Sequence, residues 1–303
     1  MSKYMGRRNQ KWQFSLGNFV LFLIWRFGHF NNYVNIIRNL LQDFLIYCRP
    51  VLWYNTPMLK ISNFSVKIKS EDKILAKNID LEINPGKVNL LIGPNGAGKS
   101  TLAKSLMSDP ELEISPDSKI ILDKQNITDL KPNKKASSGL FVSFQNPVEV
   151  PGVKILDFLH SSYNSVRGAK DRIDIWDILD LIEQYSQEIG LPDGIADRNV
   201  NEGFSGGEKK KFELLQILLL KPKYAVLDEI DSGADVDTIK TIYSTVTELA
   251  KSSNTGFLII SHTPKILDTL PVDAVYLMEN GEIKKSGDIK FAKEIFNKGF
   301  GNS

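Results

Sequence analysis

The chain has 303 residues, 42% hydrophobic and 24% charged, the balance of a globular protein with one large or two small domains. The formal net charge is +2, but residues 1–57 carry seven basic side chains (Lys3, Arg7, Arg8, Lys11, Arg26, Arg38, Arg49) against Asp43, which leaves the rest at −4. That mildly acidic body argues against nucleic-acid binding, which needs a clustered basic face; the single cysteine, Cys48, excludes an intramolecular disulfide and fits a reducing compartment.

The first 57 residues differ in composition from the remainder of the chain and hold Trp12, Trp25 and Trp53, three of the four tryptophans. Between Lys11 and Arg26 runs the apolar stretch WQFSLGNFVLFLIW, shorter than the ~20 residues of a spanning helix. Three readings stand: a basic, nearly acid-free targeting segment for a plastid or another organelle, an interfacial membrane anchor, or a poorly ordered extension from a start codon assigned too far upstream. We favour the extension, because Met58 opens MLKISNFSVKI, an alternating pattern that predicts the first strand of a domain over 58–303.

Two or three β segments are predicted up to Ile83, then the turn Asn84-Pro85-Gly86 and the apolar strand VNLLI at 88–92. GPNGAGKST comes next, from Gly93 through Pro94, Asn95, Gly96, Ala97, Gly98, Lys99 and Ser100 to Thr101. This is G-x-x-x-x-G-K-[ST] between a strand and the helical pattern TLAKSLM, the setting a phosphate-binding loop requires. The glycines let the backbone turn so that successive N–H groups face an anion at a helix N-terminus. Lys99 adds a positive charge for the β- and γ-phosphates, and Ser100 a hydroxyl for Mg²⁺. A glycine-rich turn with an exposed lysine is the plain alternative.

The strand LFVSF ends in Gln145, a candidate sensor of metal and water, and runs into NPVEVPGV. Pro147 and Pro151 stiffen this loop by fixing φ. Val148, Val150 and Val153 form an expected apolar contact surface, with Glu149 a candidate polar anchor for a partner; a rigid connection packed on its own domain is the alternative. Residues 167–192 have helical periodicity with interspersed charge. In NEGFSGGEKKKFELLQILLL, Ser205 and Glu208 predict a capping box. Gly206 and Gly207 are costly in a first turn if stability alone matters, so this N-terminus also reads as a second anion site with a free serine hydroxyl.

YAVLDE ends in Asp228 and Glu229, placed to hold Mg²⁺ and to polarise an attacking water; GFLIIS ends at Ser261, before His262. Each alone could be a polar turn after a buried strand. Asn280-Gly281 predicts a type I′ hairpin. His29 and His160 have no ligand-spaced partners, so neither zinc nor an iron–sulfur cluster is expected on the chain itself.

From about Met58 to Asn302 these motifs resemble an ATP-binding-cassette (ABC) ATPase. GPNGAGKST matches its Walker A motif, FSGGE its signature, YAVLDE its Walker B and SGAD (232–235) its D-loop, with Gln145 and His262 at the Q-loop and switch-histidine positions. The resemblance implies an α/β P-loop NTPase fold: a RecA-like core, an N-terminal antiparallel β subdomain and a helical signature subdomain over about 146–220. It implies ATP and Mg²⁺, with Glu229 as catalytic base, His262 at the γ-phosphate, and Gln145 joining Ser100 and Asp228 at the metal. Two subunits would pair head to tail, each nucleotide lying between one Walker A loop and the partner's Ser205–Glu208 segment.

FQNPVEVPGV, NEGFSGGEKKKFELLQ, LDEIDSGADVDTIK and IKKSGDIKFAKEIFNKGFG narrow the resemblance to the SufC group of iron–sulfur cluster assembly, whose implied partners are SufB- and SufD-like scaffold proteins. An ABC transporter subunit and a cassette that binds ATP without turnover are the alternatives. Three departures stand out. Ala234 replaces the usual D-loop leucine, Asn146 stands where tyrosine is expected, and no aromatic lies near Ser70 to stack on adenine, which predicts modest ATP affinity.

Overall fold

The computed structural model describes residues 57–169 and 171–300, and the readings of the N-terminal segment fall outside them. The MLKISNFSVKI pattern forms β1 (Leu59–Ile68), whose Leu59, Ile61, Phe64 and Val66 are buried. It pairs with β2 (Ile74–Ile83), and β3 (Val88–Ile92) comes after the predicted turn, in which Lys87 N–H donates to the Asn84 carbonyl. Next come α1 (Lys99–Leu106), β4 (Leu112–Ile114), β5 (Lys119–Leu122), β6 (Gln125–Asn126) and α2 (Pro132–Ser138). Strands β2, β1, β5 and β6 form an antiparallel sheet in that order, with β4 added to β1.

The other elements are β7 (Leu140–Val142), β8 (Val150–Lys154), α3 (Ile155–Arg167), α4 (Ile175–Ile189), β9 (Asn199–Val200), α5 (Gly206–Leu220), β10 (Tyr224–Asp228), α6 (Val236–Ser252), β11 (Gly256–Ile260), α7 (Ile266–Thr269), β12 (Ala274–Glu279), β13 (Glu282–Gly287) and α8 (Ile289–Lys298). The central sheet runs β13-β12-β3-β11-β10-β7, parallel from β12 to β7 with β13 antiparallel at one edge. Both faces are covered, as a parallel sheet requires. Leu90 and Ile92 of β3 point into a core shared with α3–α6 and α8, while Leu91 points into a second core shared with α1 and the antiparallel sheet.

Register decides where the chemistry lies. Ile260 is opposite both Asp228 and Leu91, and Val226 is opposite Val142. In parallel strands this brings the segments after β3, β7, β10 and β11 to one edge of the sheet, the crevice where ligands bind in such folds.

Asn280 and Gly281 both have positive φ (50° and 79°) between the paired Glu279 and Glu282, the turn a type I′ hairpin needs. The sequence reading did not include α3. Its apolar stripe is nonetheless present: Ile155 and Leu159 are buried, and Leu156, Phe158 and Tyr163 pack against the same core. Phe212 of α5 anchors the helical region, its ring centroid 6.3 Å from that of Phe158 and 6.1 Å from that of Phe204. No helix among the described residues is long and apolar enough to cross a membrane.

Candidate functional site

Helix α1 starts on Gly98, which has left-handed φ (100°) and offers no side-chain cap. Its first-turn N–H groups therefore stay available to an outside anion. A Cβ on Gly98 would lie 2.7 Å from the Leu75 carbonyl oxygen, and one on Gly93 only 2.0 Å from that of Met278. The loop thus presses directly against neighbouring backbone. Lys99 is 6% exposed, and its ammonium donates to the carbonyls of Gly93 and Pro94 at 2.9 Å each. Burial lowers its pKa, while the Glu229 and Asp228 carboxylates act in the opposite sense.

Asp228 ends β10 at 1% exposure and accepts the Ser100 hydroxyl at 3.2 Å. Burial raises its pKa, and the Ser100 bond opposes that rise. A carboxylate and a hydroxyl held together this way are hard oxygen donors, the chemistry that fits Mg²⁺. Glu229 takes left-handed φ (51°), with its N–H on the Ile260 carbonyl at 3.0 Å. That strained geometry turns its side chain toward the loop, where Gln145 Nε2 donates to one carboxylate oxygen at 2.7 Å. His262 Nδ1 lies 3.3 Å from the other.

A cleft of about 540 Å³ is lined by Asn95, Gly96, Ala97, Gly98, Lys99, Ser100 and Thr101, faced by Gln145, Glu229 and His262. Its remaining wall is Lys73 and Leu75. Ser70 does not line it, and no aromatic does, so among the described residues the stem of Lys73 and the side chain of Leu75 are what a base could rest on. Gly93 and Pro94 bound the loop through the carbonyls that hold Lys99.

Three supporting residues escaped the sequence reading. Asp231 is buried and accepts both the Tyr243 hydroxyl and the Ser261 hydroxyl at 2.8 Å. It thereby ties the segment after Glu229 to the residue before His262. Ser143 Oγ accepts the Asp228 N–H at 3.1 Å, fixing β7's exit against the end of β10. Arg198 stacks 4.1 Å above the Phe204 ring and donates to Glu208 at 2.8 Å. The available signal was weak: Asp231 and Ser143 are polar residues two places from Glu229 and Gln145, and Arg198 lies six places before the FSGGE segment.

The predicted capping box forms. Ser205 Oγ accepts the Glu208 N–H at 3.2 Å, and the Glu208 carboxylate accepts the Ser205 N–H at 2.9 Å. That N–H first, and Arg198 second, hold the Glu208 carboxyl below its ordinary pKa. The serine oxygen serves the cap as an acceptor for the orphan N–H of the first turn and keeps its own O–H donor, so the cap and the expected anion contact are compatible. Gly206 and Gly207 are helical; a Cβ on Gly206 would approach the Gly233 carbonyl at 3.3 Å, and one on Gly207 the Thr238 hydroxyl at 3.4 Å. These glycines make room for the loop that precedes α6. None of Ser205, Gly206, Gly207 and Glu208 lines the cleft around Lys99.

Beyond Gln145, Val148, Val150 and Val153 are exposed at 75, 39 and 37%. Glu149 is exposed, as expected, and pairs with Lys209 at 2.9 Å. That cation belongs to the first turn of α5.

The ABC transporter family profile matches residues 76–232, more than half of the chain. The chain belongs to the ABC family. This cassette is 38% identical over 243 residues to a probable ABC transporter ATP-binding protein of Streptococcus pyogenes serotype M3, covering 80% of this chain and 93% of that protein. It is 36% identical over 246 residues to the probable ATP-dependent transporter SufC of Escherichia coli K12, covering 80% and 98%. Among solved structures it resembles the ADP conformation of an ATP-binding cassette of an ABC transporter, at 25% identity and a TM-score of 0.63 over 80% of this chain and 95% of that one. It also shares the fold of a dimeric cassette in a post-hydrolysis state bound to ADP and Pi, at 17% identity and a TM-score of 0.65 over 76% and 98%. The cassette is an ATP hydrolase of SufC-like sequence and a P-loop NTPase in fold.

Proposed function

We propose that the cassette hydrolyses Mg²⁺-bound ATP between two head-to-tail copies of itself and uses the cycle to change the conformation of a SufB/SufD-like scaffold in iron–sulfur cluster assembly. One observation carries the catalytic part: the Glu229 carboxylate faces the phosphate-binding loop and is held on one oxygen by Gln145 and approached on the other by His262.

In this reading Lys99 and the N–H groups of Gly96 to Thr101 hold the β- and γ-phosphates. Ser100, Asp228 and Gln145 hold Mg²⁺, which when bound neutralises charge on the phosphate oxygens. Glu229 takes the proton of the attacking water, and His262 faces the γ-phosphate. The separation of the Ser205 segment from the Lys99 cleft supports a second copy as the source of the second anion site. The exposed valines after Gln145 support partner docking at that loop.

Similarity to SufC supports the assembly role and a cytoplasmic or organellar setting. The second reading, a nucleotide-binding subunit of a transporter, draws on the streptococcal relative. Affinity purification of the full chain with identification of its partners decides between them: a scaffold pair supports the first reading, and a polytopic permease overturns it. Loss of turnover in Glu229→Gln tests the catalytic assignment.

A further inference from the structure

The Gln145 loop and the N-terminus of α5 lie on different elements, yet they are laced together. Strand β8 pairs with β9, placing Val150 opposite Val200. Asn201, the next residue, is 5% exposed with left-handed φ (59°), and its Nδ2 donates to the Val148 carbonyl at 2.9 Å. The Asn201 carbonyl accepts the Phe204 N–H at 3.3 Å, closing a tight turn that delivers the chain to Ser205. Lys209, one turn into the helix, holds Glu149 at 2.9 Å.

The Asn201 side chain is buried and its bond to Val148 is partly shielded, so water weakens it less than the Lys209–Glu149 pair, which is half exposed and weak. Asparagine also suits the position twice over. It tolerates left-handed φ better than most residues, and its amide supplies the donor that the Val148 carbonyl needs.

We propose that Asn201 is a positioning residue that makes the Gln145 loop and the Ser205 anion site move as one unit. Displacement of the loop at Val148 is passed through Asn201 to the turn that sets the Ser205 N-cap. The nucleotide-sensing glutamine and the signature end of α5 then share one position, and a partner resting on Val148 pushes on both. This inference depends on the proposal that Ser205 acts in hydrolysis.

The test uses the full chain and compares Asn201→Gly, which keeps the backbone freedom and removes the amide, with wild type. We expect kcat for ATP to fall about tenfold while the Kd of nucleotide for the Lys99 cleft changes by less than about threefold. ATP-dependent self-association, followed by light scattering, weakens in parallel. Glu149→Gln, at an exposed position, cuts the second tie and should lower kcat about twofold to threefold with Kd unchanged.

A folded Asn201→Gly protein with wild-type kcat overturns the proposal, as does a loss that only tracks the folded fraction. If Asn201→Gly does not fold, Glu149→Gln decides, and wild-type kcat there counts against the linkage. Ser205→Ala separates this from the parent reading. Unchanged turnover in Ser205→Ala removes the signature site itself, whereas lost turnover there beside normal Asn201 and Glu149 variants removes only the linkage.

Discussion

The two helix N-termini proposed as anion sites, those of α1 and α5, are made in opposite ways. The α1 terminus is tightly packed: Gly98 and Gly93 press against the backbone of Leu75 and Met278, and Lys99 is 6% exposed on the wall of the cleft. The α5 terminus is a local feature, closed by its own capping box, with Glu208 and Arg198 at the surface edge. Changes at the first should therefore be felt as folding, and changes at the second as function. A loop pressed against neighbouring backbone has little room to change, whereas a helix start closed by its own cap has more.

The largest expected effect tests the core side. Gly93→Ala puts a Cβ within 2.0 Å of the Met278 carbonyl, so we expect more than about 3 kcal/mol of destabilisation and loss of nucleotide binding together. Urea unfolding and ATP binding measured on the same preparation check it; a stable variant that still binds would erase the contrast.

Next comes Glu229→Gln. Its carboxylate contacts Gln145 and His262, not the core. Steady-state hydrolysis should fall by about 10²- to 10⁴-fold while ATP binding persists. ATP should then trap the dimer, visible as a doubled mass by light scattering.

Gly207→Ala sharpens the surface side. It adds a good helix former in the first turn, so stability should hold or rise by up to about 1 kcal/mol, because the nearest atom is 3.4 Å away. Turnover should nevertheless fall several-fold if a partner's phosphate must approach that turn. Thermal melting and kcat on one sample suffice, and lost stability would place this glycine with Gly93.

The smallest effects are pH slopes of opposite sign. Lys135 is fully buried, donates to the Leu106 carbonyl at the end of α1, and is lowered by burial to a pKa of about 8. Between that value and its ordinary 10.5 the unfolded chain binds more protons, so this lysine makes stability rise with pH across that window. Glu213 on α5 is raised by burial to about 7, despite Lys210 at 3.5 Å. Between 4.5 and 7 the folded chain binds more protons, so its contribution is full below 4.5 and is lost as pH climbs through 7. Urea midpoints across pH 5–10 for Lys135→Met and Glu213→Gln should each flatten one slope and leave the other.

The cleft was readable from spacing because each motif ends a buried parallel strand: Lys99 after β3, Gln145 after β7, Asp228 and Glu229 after β10, His262 after β11. Asp231 was not readable, since its partners Tyr243 and Ser261 lie 12 and 30 residues away and carry no shared pattern. Helix α3 carries an apolar stripe at Ile155, Phe158, Leu159 and Tyr163 that was passed over, and the ion pair of the exposed Glu149 was not readable because Lys209 is 60 residues distant.

Sequence alone determined the local chemistry: the glycine spellings, the capping box, the type I′ turn and the strand-end carboxylates. All of these depend on backbone conformations that a few neighbouring residues dictate. Tertiary structure decided which groups meet: that Ser100 reaches Asp228, that Gln145 and His262 converge on Glu229, that Asn201 grips Val148, and that Ser205 lies apart from Lys99. Those pairings come from strand order and register, which only the packing of two cores against one sheet can set.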